Sequence, residues 1–75
     1  MFGNRLKALR EDNDMTQEQL STYLHISRSA LSNYENEIRE PEFDLLIKFA
    51  NFFNVSLDYL LCRTNIRIPY SPLHK

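Results

Sequence analysis

Residues 16–36 run Thr16-Gln17-Glu18-Gln19-Leu20-Ser21-Thr22-Tyr23-Leu24-His25-Ile26-Ser27-Arg28-Ser29-Ala30-Leu31-Ser32-Asn33-Tyr34-Glu35-Asn36, and this stretch decides the fold. Thr16 and Gln19 have capping-box spacing: the hydroxyl accepts from the Gln19 backbone N–H, and the Gln19 side chain reaches back. Leu20 and Leu24 share a face at i, i+4, which predicts a short helix over about 17–24. Ser27 is the next cap, and Leu31, Tyr34 and Glu35 mark the inner face of the helix it opens. Two short helices therefore meet across a turn near His25.

Working outward, Leu6 and Leu9 at i, i+3 predict a first helix over 5–13 with Asn4 as its cap. Asn13-Asp14 favours a turn, and Met15 packs back on the core. Downstream, Pro41 bars helix continuation and closes a loop over about 37–42. A fourth helix over 43–53 carries Leu45, Leu46, Ile47, Phe49, Ala50, Phe52 and Phe53. It is apolar nearly all round, which predicts burial on most sides. Ser56 caps a last short helix holding Leu57, Leu60 and Leu61. No segment over this stretch alternates with period two, so the predicted fold is all-α with five helices. Residues 1–62 form one domain in this reading, and 63–75 form a C-terminal tail, extended or loosely docked.

Seventy-five residues leave no room for a second core, and 43% hydrophobic content is too apolar for a disordered chain. The single Cys62 forms no internal bridge, and no thiol or histidine pair stands at metal-ligand spacing. His25 and His74 are isolated and read as surface or turn residues. Arg5, Lys7 and Arg10 interrupt any signal-peptide core, and nothing approaches a membrane span, so a reduced cytoplasmic location is expected, with no membrane partner. The net charge of −1 excludes a broad basic surface, although nine basic residues can still form one basic face.

The spaced set Arg5-Leu6-Lys7, Leu9-Arg10, Met15-Thr16-Gln17, Leu20, Ile26-Ser27-Arg28-Ser29, Ser32, Tyr34-Glu35-Asn36, Pro41 and Asn54-Val55-Ser56-Leu57-Asp58-Tyr59-Leu60-Leu61 resembles the Cro/CI-type (XRE) helix-turn-helix regulators of phages and bacteria. The resemblance covers about residues 4–61. It implies a compact five-helix, lambda-repressor-like DNA-binding domain, with helices two and three as the reading unit, usually dimeric on its operator. The family typically has Gly where this chain has His25 and Glu37. A left-handed turn there obliges His25 to adopt φ > 0, costing about 1 kcal/mol.

On the third helix, Arg28, Ser29, Ser32, Asn33 and Asn36 face away from Leu31, Tyr34 and Glu35. This outer stripe is free of acid and rich in donors. Arg28 suits guanine O6 and N7, and Asn33 suits adenine N6 and N7, while Ser29 and Ser32 are less selective. Gln17 at the start of the second helix offers its amide and backbone N–H to a phosphate, beside Thr16. The resemblance supports Gln17, Arg28, Ser29, Ser32 and Asn33 as base and phosphate contacts, and adds Asn36 and Arg39 on the DNA backbone. It also implies that Arg10 pairs with Glu35 between the first and third helices, as structure and not as chemistry.

Glu37, Glu40, Glu42 and Asp44 cluster after the third helix with only Arg39 opposing them, so modest DNA affinity is expected. Phe49, Phe52, Phe53, Leu57, Leu60, Leu61 and the 66–70 segment exceed what a small core hides, which predicts an apolar dimer surface on helices four and five and the tail. Alternatively, the 63–70 segment reaches across and adds a strand to its partner. Two readings result. The first is a sequence-specific regulator, a small repressor acting as a homodimer on a palindromic double-stranded operator. The second is a protein-interaction module, an antitoxin or adaptor, that keeps the fold with weak DNA binding. No nucleophile with a base and orienting group is present and no Gly-rich phosphate loop, so no enzyme, cofactor, metal or small-molecule ligand is expected.

Overall fold

The computed structural model describes residues 2–68. Five helices appear among them: α1 (Phe2–Asp12), α2 (Gln17–Tyr23), α3 (Arg28–Glu35), α4 (Phe43–Phe53) and α5 (Leu57–Leu60), with no strand among the described residues. The all-α architecture follows the sequence reading. No helix among the described residues is long and apolar enough to cross a membrane. Helix α3 packs on α1 and α2, and α5 packs on α1 and α4. One core joins them, built from Leu6, Leu9, Leu20, Leu24, Leu31, Phe49, Ala50, Phe53, Val55 and Leu60.

The helix starts at α2, α3 and α5 are local. Thr16, Ser27 and Ser56 accept from the backbone N–H three residues on, and Thr16–Gln19 forms the full capping box. Helix α1 departs from the expectation. It begins at Phe2, and Asn4 is an exposed residue inside it rather than its cap. The Gly3 N–H donates instead to the Glu37 carboxylate, 3.3 Å away and 34 residues along the chain. A long-range acceptor of this kind leaves no local sequence signal. Gly3 also lets α1 meet the end of α3 closely: a Cβ there would lie 2.3 Å from the Glu35 carbonyl oxygen.

Each helix ends around a left-handed residue, and none of these is glycine: Asp14, His25, Glu37, Asn54 and Cys62 have φ between 55° and 63°. The hydrogen bonds repeat. After α2, His25 N–H donates to Thr22 and Ile26 N–H to Ser21; after α3, Glu37 N–H donates to Tyr34 and Ile38 N–H to Asn33. This paired closure satisfies carbonyls that the helix leaves open. His25 thus takes the strained conformation that the sequence implied.

Helix α4 is less enclosed than its composition predicts. Phe49, Ala50 and Phe53 are buried, but Phe43 is 65% exposed and Ile47 37% exposed. Helix α4 meets α5, and its Phe52 and Phe49 rings meet Tyr23 of α2 and Tyr34 of α3, while the side bearing Phe43 and Ile47 stays open. The expected surplus of apolar residues at α4 and α5 is mostly absorbed, with Phe49, Phe53 and Leu60 buried and Phe52, Leu57 and Leu61 partly so. The exposed apolar side chains lie at Tyr23, Ile38, Phe43, Ile47, Ile66 and Ile68.

Beyond α5 the chain docks back. Ser56 N–H donates to the Arg67 carbonyl at 2.9 Å, and its hydroxyl donates to the Ile66 carbonyl at 3.3 Å. Arg5 stacks 3.9 Å from the Tyr59 ring centroid and donates to the Tyr59 carbonyl at 2.9 Å, tying α1 to α5. The part of the predicted tail from residue 69 on, with His74, lies outside the described residues.

Two substitutions at these backbone positions have opposite expected signs. Gly3→Ala forces α1 off α3 and lowers stability by about 1–3 kcal/mol. His25→Gly relieves the left-handed strain and raises it by about 0.5–1 kcal/mol. Urea unfolding followed by circular dichroism reads both.

Candidate nucleic-acid interface

The site is built on two helices of seven and eight residues, too short to be stable alone. Their mutual packing holds them, and a buried ion pair ties α3 to α1. Arg10 and Glu35 are 8% and 5% exposed, and the guanidinium meets the carboxylate twice, Nε to Oε2 at 2.7 Å and Nη2 to Oε1 at 3.1 Å. Nη1 donates to the Met15 carbonyl at 2.8 Å. The hydrogen bonds that Arg10 donates to Glu35 raise the Arg10 pKa above its ordinary value against the opposing effect of burial, and the charge of Glu35 adds to the rise. Both partners are thus fully engaged, and the pair bridges α1 to α3 as the resemblance implied.

Gln17 joins this network. Its Nε2 donates to Glu35 Oε1 at 3.0 Å. The sequence reading assigned the Gln17 amide to a phosphate; the structure places one of its donors on a buried carboxylate, 18 residues on in the chain. The second Nε2 hydrogen and Oε1 remain for a ligand. Nothing local signals this contact, because it depends on how α2 crosses α3. Gln17, Thr16 and Arg28 line one open groove with Arg10, Met15, Glu18 and Gln19. The Thr16 hydroxyl accepts from the Gln19 N–H at 3.1 Å and keeps its own hydrogen to donate.

On α3, Arg28 and Ser29 are exposed, Ser32 and Asn33 half-buried, and Asn36 exposed at the helix end. Asn36 Nδ2 donates to the Ser32 hydroxyl at 3.3 Å, which links two members of the stripe. Leu31 and Glu35 are buried on the opposite side and Tyr34 is half-buried, with its ring edge-on to Phe49. The two faces inferred from spacing are therefore present. Arg39 stands apart from the groove, lining a separate cleft with Phe2, Glu37, Glu40, Pro41, Leu46 and Leu61. Arg5 is committed to Tyr59, so Arg28 and Arg39 are the cations of the expected interface.

A buried pair at the centre of a short-helix unit, a capped second helix and a donor-rich outer face on the third define a helix-turn-helix. The helix-turn-helix family pattern matches residues 6–60. The chain belongs to this family, in its Cro/CI-type (XRE) branch. It is 42% identical over 65 residues to the HTH-type transcriptional regulator ImmR of Bacillus subtilis (strain 168), covering 87% of this chain and 51% of ImmR. It is 43% identical over 61 residues to the uncharacterized HTH-type transcriptional regulator YqaE of the same organism, covering 81% of this chain and 53% of YqaE. It is also 38% identical over 56 residues to the antitoxin PezA of Streptococcus pneumoniae serotype 4, covering 75% of this chain and 35% of PezA. The chain thus spans about half the length of ImmR and YqaE and about a third of PezA.

The ion pair gives an asymmetric prediction. Arg10→Ala strands a buried carboxylate and costs about 3–5 kcal/mol, whereas the apolar pair Arg10→Met with Glu35→Leu stays within about 1 kcal/mol of the parent or exceeds it. Thermal and urea unfolding of both variants checks this.

Proposed function

We propose that this chain is the DNA-reading part of a repressor that binds a palindromic operator in double-stranded DNA as a homodimer. The observation that carries the reading is the acid-free outer face of α3, where Arg28, Ser29, Ser32, Asn33 and Asn36 stand opposite a buried Leu31 and Glu35. A recognition helix meets base edges with its N-terminal residues while the preceding helix crosses the backbone. In that pose Arg28 and Asn33 read bases, Ser29 and Ser32 assist, and Thr16, Gln17, Asn36 and Arg39 hold phosphates. ImmR and YqaE are named as transcriptional regulators, which supports a regulatory role here.

The homodimer rests on α4, α5 and the segment after them. Phe43 and Ile47 on α4, and Ile66 and Ile68 beyond α5, are apolar and exposed, and apolar surface of this kind favours a partner. A two-fold pair would set the two α3 helices about 34 Å apart, one turn of DNA. The action is placed in the cytoplasm, with no cofactor, metal, small-molecule ligand or enzymatic step.

A second reading, an antitoxin or adaptor that keeps the fold with weak DNA binding, draws on two observations. The net charge is −1, with Glu37, Glu40, Glu42 and Asp44 exposed after α3, and one relative is named as an antitoxin. Selection from random duplex DNA at physiological salt separates the two. The repressor reading expects a recovered palindrome; no enrichment favours the adaptor. On the recovered site, Arg28→Ala should cost about 1–3 kcal/mol at one base pair with little effect on folding, whereas equal loss on every sequence would make Arg28 a phosphate contact.

A further inference from the structure

We propose that Glu35 is a positioning residue for Gln17, so that the buried ion pair prepares the phosphate contact as well as holding the fold. The proposal rests on the reading of Gln17 as a DNA contact. Glu35 accepts three hydrogen bonds, from Arg10 Nε, Arg10 Nη2 and Gln17 Nε2, at 2.7, 3.1 and 3.0 Å. Arg10 is in turn fixed by the Met15 carbonyl at 2.8 Å, immediately before the Thr16 cap. The carboxylate therefore cannot rotate without breaking bonds to a buried cation.

This rigidity passes to Gln17. A glutamine has three side-chain torsions, and ordering it on a ligand costs rotamer entropy. Here that ordering is completed within the fold, with one Nε2 hydrogen on Glu35 and the other hydrogen and Oε1 left for the groove shared with Thr16 and Arg28. The charges also fit. A lone carboxylate behind a phosphate contact would repel the phosphate, and Arg10, 2.7 Å from Glu35, neutralises it. The pair thus offers the amide a strong acceptor without placing net negative charge under DNA.

Operator affinity is measured for the parent, Gln17→Ala, the Arg10→Met/Glu35→Leu pair, and all three substitutions together, on the duplex recovered by selection. Gln17→Ala and the pair are each expected to weaken binding about tenfold, and the combined variant to lose less than about threefold more, because both remove one contact. Losses that multiply to about a hundredfold, or a Gln17→Ala variant that binds as the parent does, overturn the proposal. A parent that binds no duplex removes the DNA reading itself, a result distinct from additive losses in a parent that binds. Should the paired variant fail to fold, the Gln17 side-chain amide resonances of the parent decide the matter. A single ordered amide with one slowly exchanging hydrogen before DNA is added supports positioning, and an amide that is averaged in the free protein and ordered only on DNA overturns it.

Discussion

The Arg10–Glu35 ion pair is the contact on which the reading unit depends. Helices α2 and α3 have seven and eight residues, and helices that short are unstable in isolation. What holds them is burial of Leu20 and Leu31 in the core and a charge pair that spans α1 and α3. Burying two charges is costly, and the pair is tolerable only because both guanidinium edges and both carboxylate oxygens are occupied. The pair is satisfied in the crossing that core packing of α1, α2 and α3 sets, and that crossing decides which side chains of α3 face outward. The buried contacts and the donor-rich stripe are therefore two sides of one eight-residue helix.

Charge shapes the interface as much as geometry does. Arg10 is buried, Arg5 is stacked on Tyr59, and the segment after α3 carries more acid than base. In the proposed DNA complex, a surface of this composition would draw little affinity from phosphate attraction, and hydrogen bonds from fixed side chains would carry more of the discrimination. In the proposed homodimer a second copy would double these contacts. The exposed Phe43 and Ile47 on α4 are the apolar area that the proposed homodimer would use.

Much of this was legible in the sequence because its signals are local. Thr16–Gln19, Ser27 and Ser56 announce helix starts within four residues, and the i, i+3, i+4 pattern separates Leu31, Tyr34 and Glu35 from the outer stripe. The features that were not legible come from contacts distant in sequence. Asn4 looked like a cap because Glu37, the acceptor that meets Gly3, lies 34 residues away. Gln17 looked like a free amide because its bond to Glu35 exists only once α2 crosses α3. Helix α4 looked buried all round because apolar composition does not say how many neighbours a small fold can supply. The Arg10–Glu35 pair came from the family resemblance, since nothing in its 25-residue separation announces a contact.

In the proposed complex the outer face of α3 enters the major groove while Glu35 stays inside. Intermolecular nuclear Overhauser effects in a complex with duplex DNA test it most directly. Contacts are expected from Arg28, Ser29, Ser32 and Asn33 to major-groove base protons and thymine methyls, with Arg10 and Glu35 resonances nearly unchanged. Contacts confined to α4, α5 or the 37–44 segment, with α3 unperturbed, would contradict it.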